Sequence, residues 1–181
     1  MKIIVDHIQD NKPFSLHTED PIETYPMLAG MQSDGDITFI GPVLSDISVE
    51  REYDHLRLEG RVNTQVSLVC SRCLATFETP IDSNFTIYFR KGTPQNQGEE
   101  EEIELDEQDL ISATYSGDEI DLTHEIEEQV AMEVPLKPLC NEECKGLCPV
   151  CGIDLNHNTC SCSRNEFNLK FSALKDFKAS R

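Results

Sequence analysis

"RVNTQVSLVCSRCLATFETPIDSNFTIYFR", residues 61–90, places a Cys-x-x-Cys between two alternating runs. Val62, Thr64, Val66 and Leu68 fall on one side of an extended chain, and Arg61, Asn63, Gln65 and Ser67 on the other. That period of two belongs to a strand buried on one face only. Phe77, Thr79 and Ile81, then Phe85, Ile87 and Phe89, repeat the alternation beyond the cysteines. A tight turn at Cys70-Ser-Arg-Cys73 is therefore expected to join neighbouring antiparallel strands.

Working outward, "DITFIGPVLSDISVERE" (36–52) contributes one or two earlier strands, interrupted at Gly41-Pro42, and "MKIIVDHI" (1–8) reads as an edge strand. Residues 1–91 thus form an antiparallel β region, open or barrel-like. From Gly92 the composition changes, and residues 92–109 carry turn formers and then a run of Glu and Asp too poor in apolar side chains to pack. This segment is expected to be an acidic linker or loop. Beyond "SGD", Leu122, Ile126, Val130 and Val134 recur at helical spacing, with Asp121 or Thr123 as N-cap and Pro135 as the stop. A terminal amphipathic helix with Phe167, Phe171 and Leu174 on one side is expected after the last cysteine. Its five basic residues, Arg164, Lys170, Lys175, Lys178 and Arg181, against Glu166 and Asp176 give a local net of +3. Residues 110–181 hold the helix, the cysteine module and this last helix, integrated with the sheet into one α+β domain.

Thirty-four acids against fifteen Lys and Arg give a formal charge of −19 over 181 residues. Such a surface repels phosphate backbones and anionic lipid headgroups, so bare RNA as a generic ligand fits poorly and a basic protein fits well. The first apolar run is three residues long, short of the ~7–15 of a secretory core or the ~20 of a membrane span. A cytoplasmic location, where thiols stay reduced, is the expectation, and eight cysteines then point to metal or catalysis rather than disulfides.

Zinc takes four soft ligands in a tetrahedron, and two cysteines separated by two residues can wrap one ion. Cys148-Pro-Val-Cys151-Gly has this spacing, with Gly152 available for the positive φ such a turn favours. Cys160 and Cys162 follow after eight residues, a loop closed at little entropic cost, so Cys148, Cys151, Cys160 and Cys162 form the preferred site. Cys70, Cys73, Cys140 and Cys144 remain for a second site; pairing of Cys70 and Cys73 with Cys148 and Cys151 is the alternative, and His157 could replace one thiolate. Residues 141–163 have few large apolar side chains beyond Leu147, Val150, Ile153 and Leu155, so a structural metal explains how they hold one shape. Spacing admits iron as well as zinc. Lys145, Arg164 and Arg72 are placed to offset the thiolate charge. A thiol redox protein using Cys70 and Cys73 is the enzymatic alternative, although a thioredoxin-like motif belongs at a helix N-terminus, not between antiparallel strands. No catalytic residue, Walker loop or GxGxxG is evident, and no small-molecule substrate is implied.

The order of "VNTQVSLVCSRCLATFETPI", the acidic stretch, "GDEIDLTHEIEEQVAMEVPLKPLC", "CKGLCPVCGIDLN", "CSC" and "FSALKDF" resembles the YceD family, over most of the chain beyond its first thirty or so residues. Cys70 and Cys73 match the family's first cysteine pair, and Cys140, Cys144, Cys148, Cys151, Cys160 and Cys162 the cluster of one branch. The resemblance implies a non-catalytic role in ribosome biogenesis, supporting accumulation of large-subunit (23S) rRNA. The acidic surface would then engage a basic ribosomal protein or a pre-ribosomal large-subunit particle.

Overall fold

The computed structural model of the chain describes residues 1–9, 12–35, 37–53, 55–92 and 112–163. Its centre is the hairpin of residues 61–90, extended at the open end. Strands β5 (His55–Val69) and β6 (Thr76–Lys91) pair antiparallel from His55↔Arg90 to Val69↔Thr76, so the Cys-x-x-Cys forms the hairpin tip. Phe77 to Phe89 therefore belong to one uninterrupted strand, despite Pro80. The carbonyl of Gln65, opposite Pro80, accepts the Ile40 N–H at 2.8 Å on the far side of β5. Gln65 and Pro80 are thus a non-hydrogen-bonded pair, and the donor that proline lacks would point away from β5. Gly60 faces Phe85 in the same ladder, and the ring occupies the space a β-carbon would need.

The other edge of β5 is shared by two strands. β4 (Val43–Glu52) runs along His55–Asn63 and β3 (Ile37–Phe39) along Val66–Leu68, with the break at Gly41-Pro42, as the sequence predicts. β2 (Phe14–Asp20) pairs antiparallel outside β4, and β7 (Ser112–Tyr115) runs parallel to the end of β6, so the sheet is mixed. β1 (Lys2–Ile4) is not an edge of this sheet. It forms a separate two-stranded ribbon with β8 (Glu119–Asp121), which buries Ile3 and Ile120.

Only one face of the sheet is apolar, and this decides the architecture. Val43, Ile47, Val49, Leu56, Leu58, Val62, Val66 and Phe89 are buried in one cluster with Leu28 of α1 (Pro26–Ser33) and Ile126 and Val130 of α2 (Thr123–Glu133). The opposite face is polar: Arg57 pairs with Glu50, Glu52 and Glu59, and Arg61 with Asp82. Two helices cover the apolar face that a barrel would have to fill with its own side chains. Among the described residues the sheet is open, with no barrel closure, in the α+β class expected. The expected acidic loop beyond Gly92 and the terminal helix with Phe167, Phe171 and Leu174 lie outside the described residues.

α2 begins at Thr123 with Leu122 at the N-cap and no side-chain cap bond, so neither Asp121 nor Thr123 is the N-cap the sequence suggests; Leu122 is buried there, its N–H donating to the Met1 carbonyl at 2.8 Å. The Asp121 carboxylate accepts from the Thr123 N–H at 3.0 Å and its hydroxyl at 2.6 Å, which holds Asp121 below the usual carboxylate range. Its acidic side is not wholly solvated. Glu127 is 7% exposed and accepts the Met27 N–H at 2.9 Å, so the second helix supplies the capping carboxylate of the first, whose N1 residue is Pro26. No helix among the described residues is long and apolar enough to cross a membrane. Replacing Glu127 with Ala is expected to lower stability by about 1–2 kcal/mol, and Glu127→Gln by less, because an acceptor remains. Urea denaturation midpoints at constant slope measure both.

Candidate metal centres

The chain returns to the hairpin tip after α2. Val134 leaves the helix in extended conformation ahead of Pro135, and the Pro138 carbonyl accepts the Ser71 N–H at 2.8 Å. This registers residues 138–144 against the β5–β6 turn. Within that turn the Cys70 N–H donates to the Ala75 carbonyl at 2.9 Å and the Leu74 N–H to the Cys70 carbonyl at 3.0 Å, with Leu74 at φ 60°. Cys140 and Cys144 are thereby brought to Cys70 and Cys73. The Cys70 and Cys144 sulfurs are 3.8 Å apart, those of Cys73 and Cys140 3.6 Å, and all four lie within 4.8 Å of one another.

These spacings distinguish a metal site from a disulfide. Four sulfurs at ~2.3 Å from a central zinc define a tetrahedron with edges of about 3.8 Å, whereas a disulfide needs ~2.05 Å. The four thiols are free and match the former. Cys70, Cys73 and Cys144 are buried with Phe77, Leu139 and Leu147 packed around them, a small apolar cluster separate from the main core.

The second tetrad follows within four residues. Cys148, Cys151, Cys160 and Cys162 also converge within 4.8 Å. The Cys148 N–H donates to the Ile153 carbonyl and the Gly152 N–H to the Cys148 carbonyl, each at 2.8 Å, with Gly152 at φ 73° as the spacing predicts. This site is less enclosed, since only Cys148 is buried. Both tetrads can hold a metal ion. The thiols gather as Cys70, Cys73, Cys140 and Cys144 in one place and Cys148, Cys151, Cys160 and Cys162 in another, and Cys70 and Cys73 do not meet Cys148 and Cys151. His157 is outside both groups, 80% exposed with its Nε2 3.8 Å from Asp154.

The thiol energetics show what such a centre must offset. The backbone N–H of Cys140 donates to Cys70 and holds its thiol down at about 6; the N–H groups of Cys151 and Val150 do the same for Cys148, also to about 6. Cys140 is pushed up to about 12 by its hydrogen bond with Cys73 and by burial, and Cys162 to about 12 by Cys151 and burial. In each tetrad one thiolate is favoured and a neighbour is opposed, because anions this close repel. A bound dication would supply the missing positive charge, and with it all four sulfurs of a tetrad could be thiolates together.

Two residues matter beyond the ligands. Arg72 makes directed bonds to backbone: its Nη1 donates to the carbonyls of Glu142 and Cys144 at 3.2 and 2.9 Å, while its own carbonyl accepts the Leu147 N–H at 3.1 Å. It braces the hairpin tip against the 140–147 segment. Gly146, at φ 70°, passes so close that a β-carbon there would lie 2.9 Å from the Arg72 carbonyl oxygen. Asn156 is a residue that cysteine spacing does not single out. Its amide nitrogen donates to the Cys144 sulfur at 3.4 Å and its oxygen accepts the Lys145 N–H at 2.8 Å, while Asp154 holds it by two 2.8 Å bonds. A residue in the loop of the second tetrad thus orients a sulfur of the first. The Asp-x-Asn pattern, typical of a side-chain-closed turn, is the signal the sequence offers for it. Arg164 lies outside the described residues.

A one-sided sheet carrying two helices and ending in paired four-thiol sites defines a small α+β protein clasped at one end by cysteines. The chain belongs to the YceD family, described as large ribosomal RNA subunit accumulation protein YceD, whose model matches residues 58–178. It is 28% identical over 156 residues to the large ribosomal RNA subunit accumulation protein YCED homolog 1, chloroplastic, of Arabidopsis thaliana, covering 76% of this chain and 49% of that protein. The maize protein of the same description is 30% identical over 155 residues, 74% of this chain and 53% of that one. An uncharacterized Mycobacterium tuberculosis protein is 29% identical over 110 residues, covering 61% and 50%. The chain spans about half the length of the curated relatives it matches. No solved structure matches it.

Asn156→Ala is expected to weaken metal binding at the first tetrad about 10–100-fold without removing a ligand. Competition against a chromophoric chelator measures it, with Cys73→Ser and Cys162→Ser variants assigning the two sites. Metal stripping is expected to abolish amide protection at residues 70–75 and 138–163 while the paired centre of β4, β5 and β6 stays protected. Hydrogen exchange with and without chelator reads this; uniform loss would place the metal in the folding of the whole sheet.

Proposed function

We propose that the chain is a non-catalytic factor in ribosome biogenesis that supports accumulation of large-subunit rRNA. On this reading its acidic surface engages a basic ribosomal protein or a pre-ribosomal particle, and both tetrads hold structural zinc. The observation that carries the reading is that the segment matched by the family, residues 58–178, contains every cysteine of both tetrads and the acidic helix. Four protein thiols at each centre leave no position for water or substrate, which is the arrangement of a structural site. The formal −19 supports a basic protein as the direct contact. So does the open sheet face, where Arg57 and Arg61 are already paired with carboxylates and have little to offer a phosphate.

The redox alternative draws on the lowered Cys70 thiol. Against it, Cys70 is 0% exposed and lies at a hairpin tip rather than a helix N-terminus. Insulin reduction by metal-loaded and stripped protein tests it, and turnover by either form would revive it.

Captured from lysate at moderate salt, the tagged chain is expected to retain large-subunit precursor RNA together with a basic ribosomal protein. Deleting residues 99–109 and changing Glu128 and Glu133 to Gln is expected to reduce that retention about tenfold. Unchanged retention would mean that acidic steering is the wrong mechanism.

A further inference from the structure

Both helices end at one groove. It has a volume of about 500 Å³, and Met31, Ile37, Leu68, Val69, Leu136 and Pro138 line it. Leu136 is 100% exposed and Val69 48%, so the groove leaves in water apolar surface whose burial is favourable.

Its electrostatics lean negative. Asp34 and Gly35, which close α1, and Val134 and Pro135, which follow α2, also border the groove. A helix C-terminus carries about half a negative charge, which Lys or Arg in the last turn normally offsets. Neither helix has a basic residue there; instead Asp34 follows α1 and Glu133 ends α2. No Lys or Arg is among the described lining residues, and the exposed Lys137, between Leu136 and Pro138 in the chain, is the neighbouring cation that Asp34, Glu133 and the two helix ends outweigh. The result is an apolar slot with a negative rim.

The slot is also anchored to the first tetrad. Val69 leads directly into Cys70, and Pro138, whose carbonyl holds the Ser71 N–H at 2.8 Å, stands two residues before Cys140. Closing the tetrad fixes the distance between these two walls.

We infer that this groove docks a basic segment of a ribosomal protein, with an apolar anchor between Leu136 and Val69 and Lys or Arg side chains at the two helix ends. The inference rests on the assembly-factor reading above and names where on the acidic surface the partner binds. Charge selects the occupant, because RNA would bring phosphates against two helix C-termini and the Asp34 carboxylate, with Glu133 one residue before the lining Val134.

The test uses the full-length, zinc-loaded chain and purified large-subunit precursor particles. Co-sedimentation of the wild-type chain comes first: if it does not sediment with the particles, the assembly-factor reading and the groove proposal both fall. If it does, p-benzoylphenylalanine in place of Leu136 is irradiated on the particles and the crosslinked peptides are sequenced. A crosslink to a Lys/Arg-rich segment of a ribosomal protein is expected, lost on chelation of zinc. Leu136→Arg, and the pair Asp34→Lys with Glu133→Lys, are each expected to sediment about tenfold more weakly. All three positions are exposed, so these variants keep the fold. Crosslinks to RNA, to a second copy or to residues 164–181 of the same chain would overturn the docking site while leaving the assembly-factor reading intact. So would wild-type sedimentation of Leu136→Arg.

Discussion

The contact on which the rest depends is the return of residues 138–144 to the tip of the β5–β6 hairpin. It joins sulfurs 67 and 74 positions apart in the chain, and little else is available to hold that closure. The apolar cluster around Cys70, Cys73 and Cys144 gains only Phe77, Leu139 and Leu147, and the polar ties are the Ser71–Pro138 bond and the Arg72 brace. Loop-closure cost rises slowly with length, so the span itself is a minor obstacle; ordering some twenty-five residues of polar backbone costs more. Structural zinc at a four-thiolate site contributes roughly 10–16 kcal/mol of apparent free energy near neutral pH, well above what three partly buried side chains provide. On the zinc assignment, folding of the clasp and binding of metal are one event.

That constraint orders the molecule from one end to the other. The main core, from Ile3 to Val130, is complete without the cysteines, because the two helices, the sheet and the N-terminal segment bury one another. The clasp adds a second, smaller folding unit at the end of the longest hairpin, where strand pairing has stopped and the chain would otherwise fray. The second tetrad then has no sheet to rest on. It leans on the first through Leu147, whose N–H reaches Arg72, through the Leu155–Gly146 bond and through Asn156. The order of dependence is therefore sheet, first tetrad, second tetrad, with Asn156 returning support to Cys144.

Much of this is legible in the sequence where a repeat or spacing fixes geometry locally. The period of two in β5 and β6 marks the hairpin, Leu122, Ile126 and Val130 mark α2, and the gaps among the cysteines suggest a grouping of thiols, which lie in space as two tetrads able to hold an ion. What escapes is short or context-dependent. α1 runs only from Pro26 to Ser33, with Gly30 inside it, and its capping carboxylate comes from Glu127, about a hundred residues away. β7 and β8 are four and three residues long, below the length at which alternation carries a signal. The parallel pairing of β7 with β6 and the ribbon of β1 with β8 are long-range choices made by the core. Arg72 illustrates the same limit: its charge suggests a counter-ion for thiolates, and the sequence does not show the two directed hydrogen bonds by which it also braces the Glu142 and Cys144 carbonyls.

The chemistry of the clasp also bears on how a partner is found. Two zinc-tetrathiolate centres would each add two negative charges to a chain already at −19, so metal loading stabilises the fold while deepening the acidic field. A field of that size acts at a distance and on any polycation; it raises encounter rates but discriminates weakly, and salt screens it over about 8–10 Å. Discrimination must come from contacts within that range, where an apolar anchor is desolvated and a helix end meets a specific cation. The groove between the ends of α1 and α2 offers both, and its walls are tied to the first tetrad through Val69 and Pro138. On the proposed reading, metal, charge and groove are parts of one device: the thiolates set the shape, the carboxylates gather basic partners, and the apolar slot decides which of them remains.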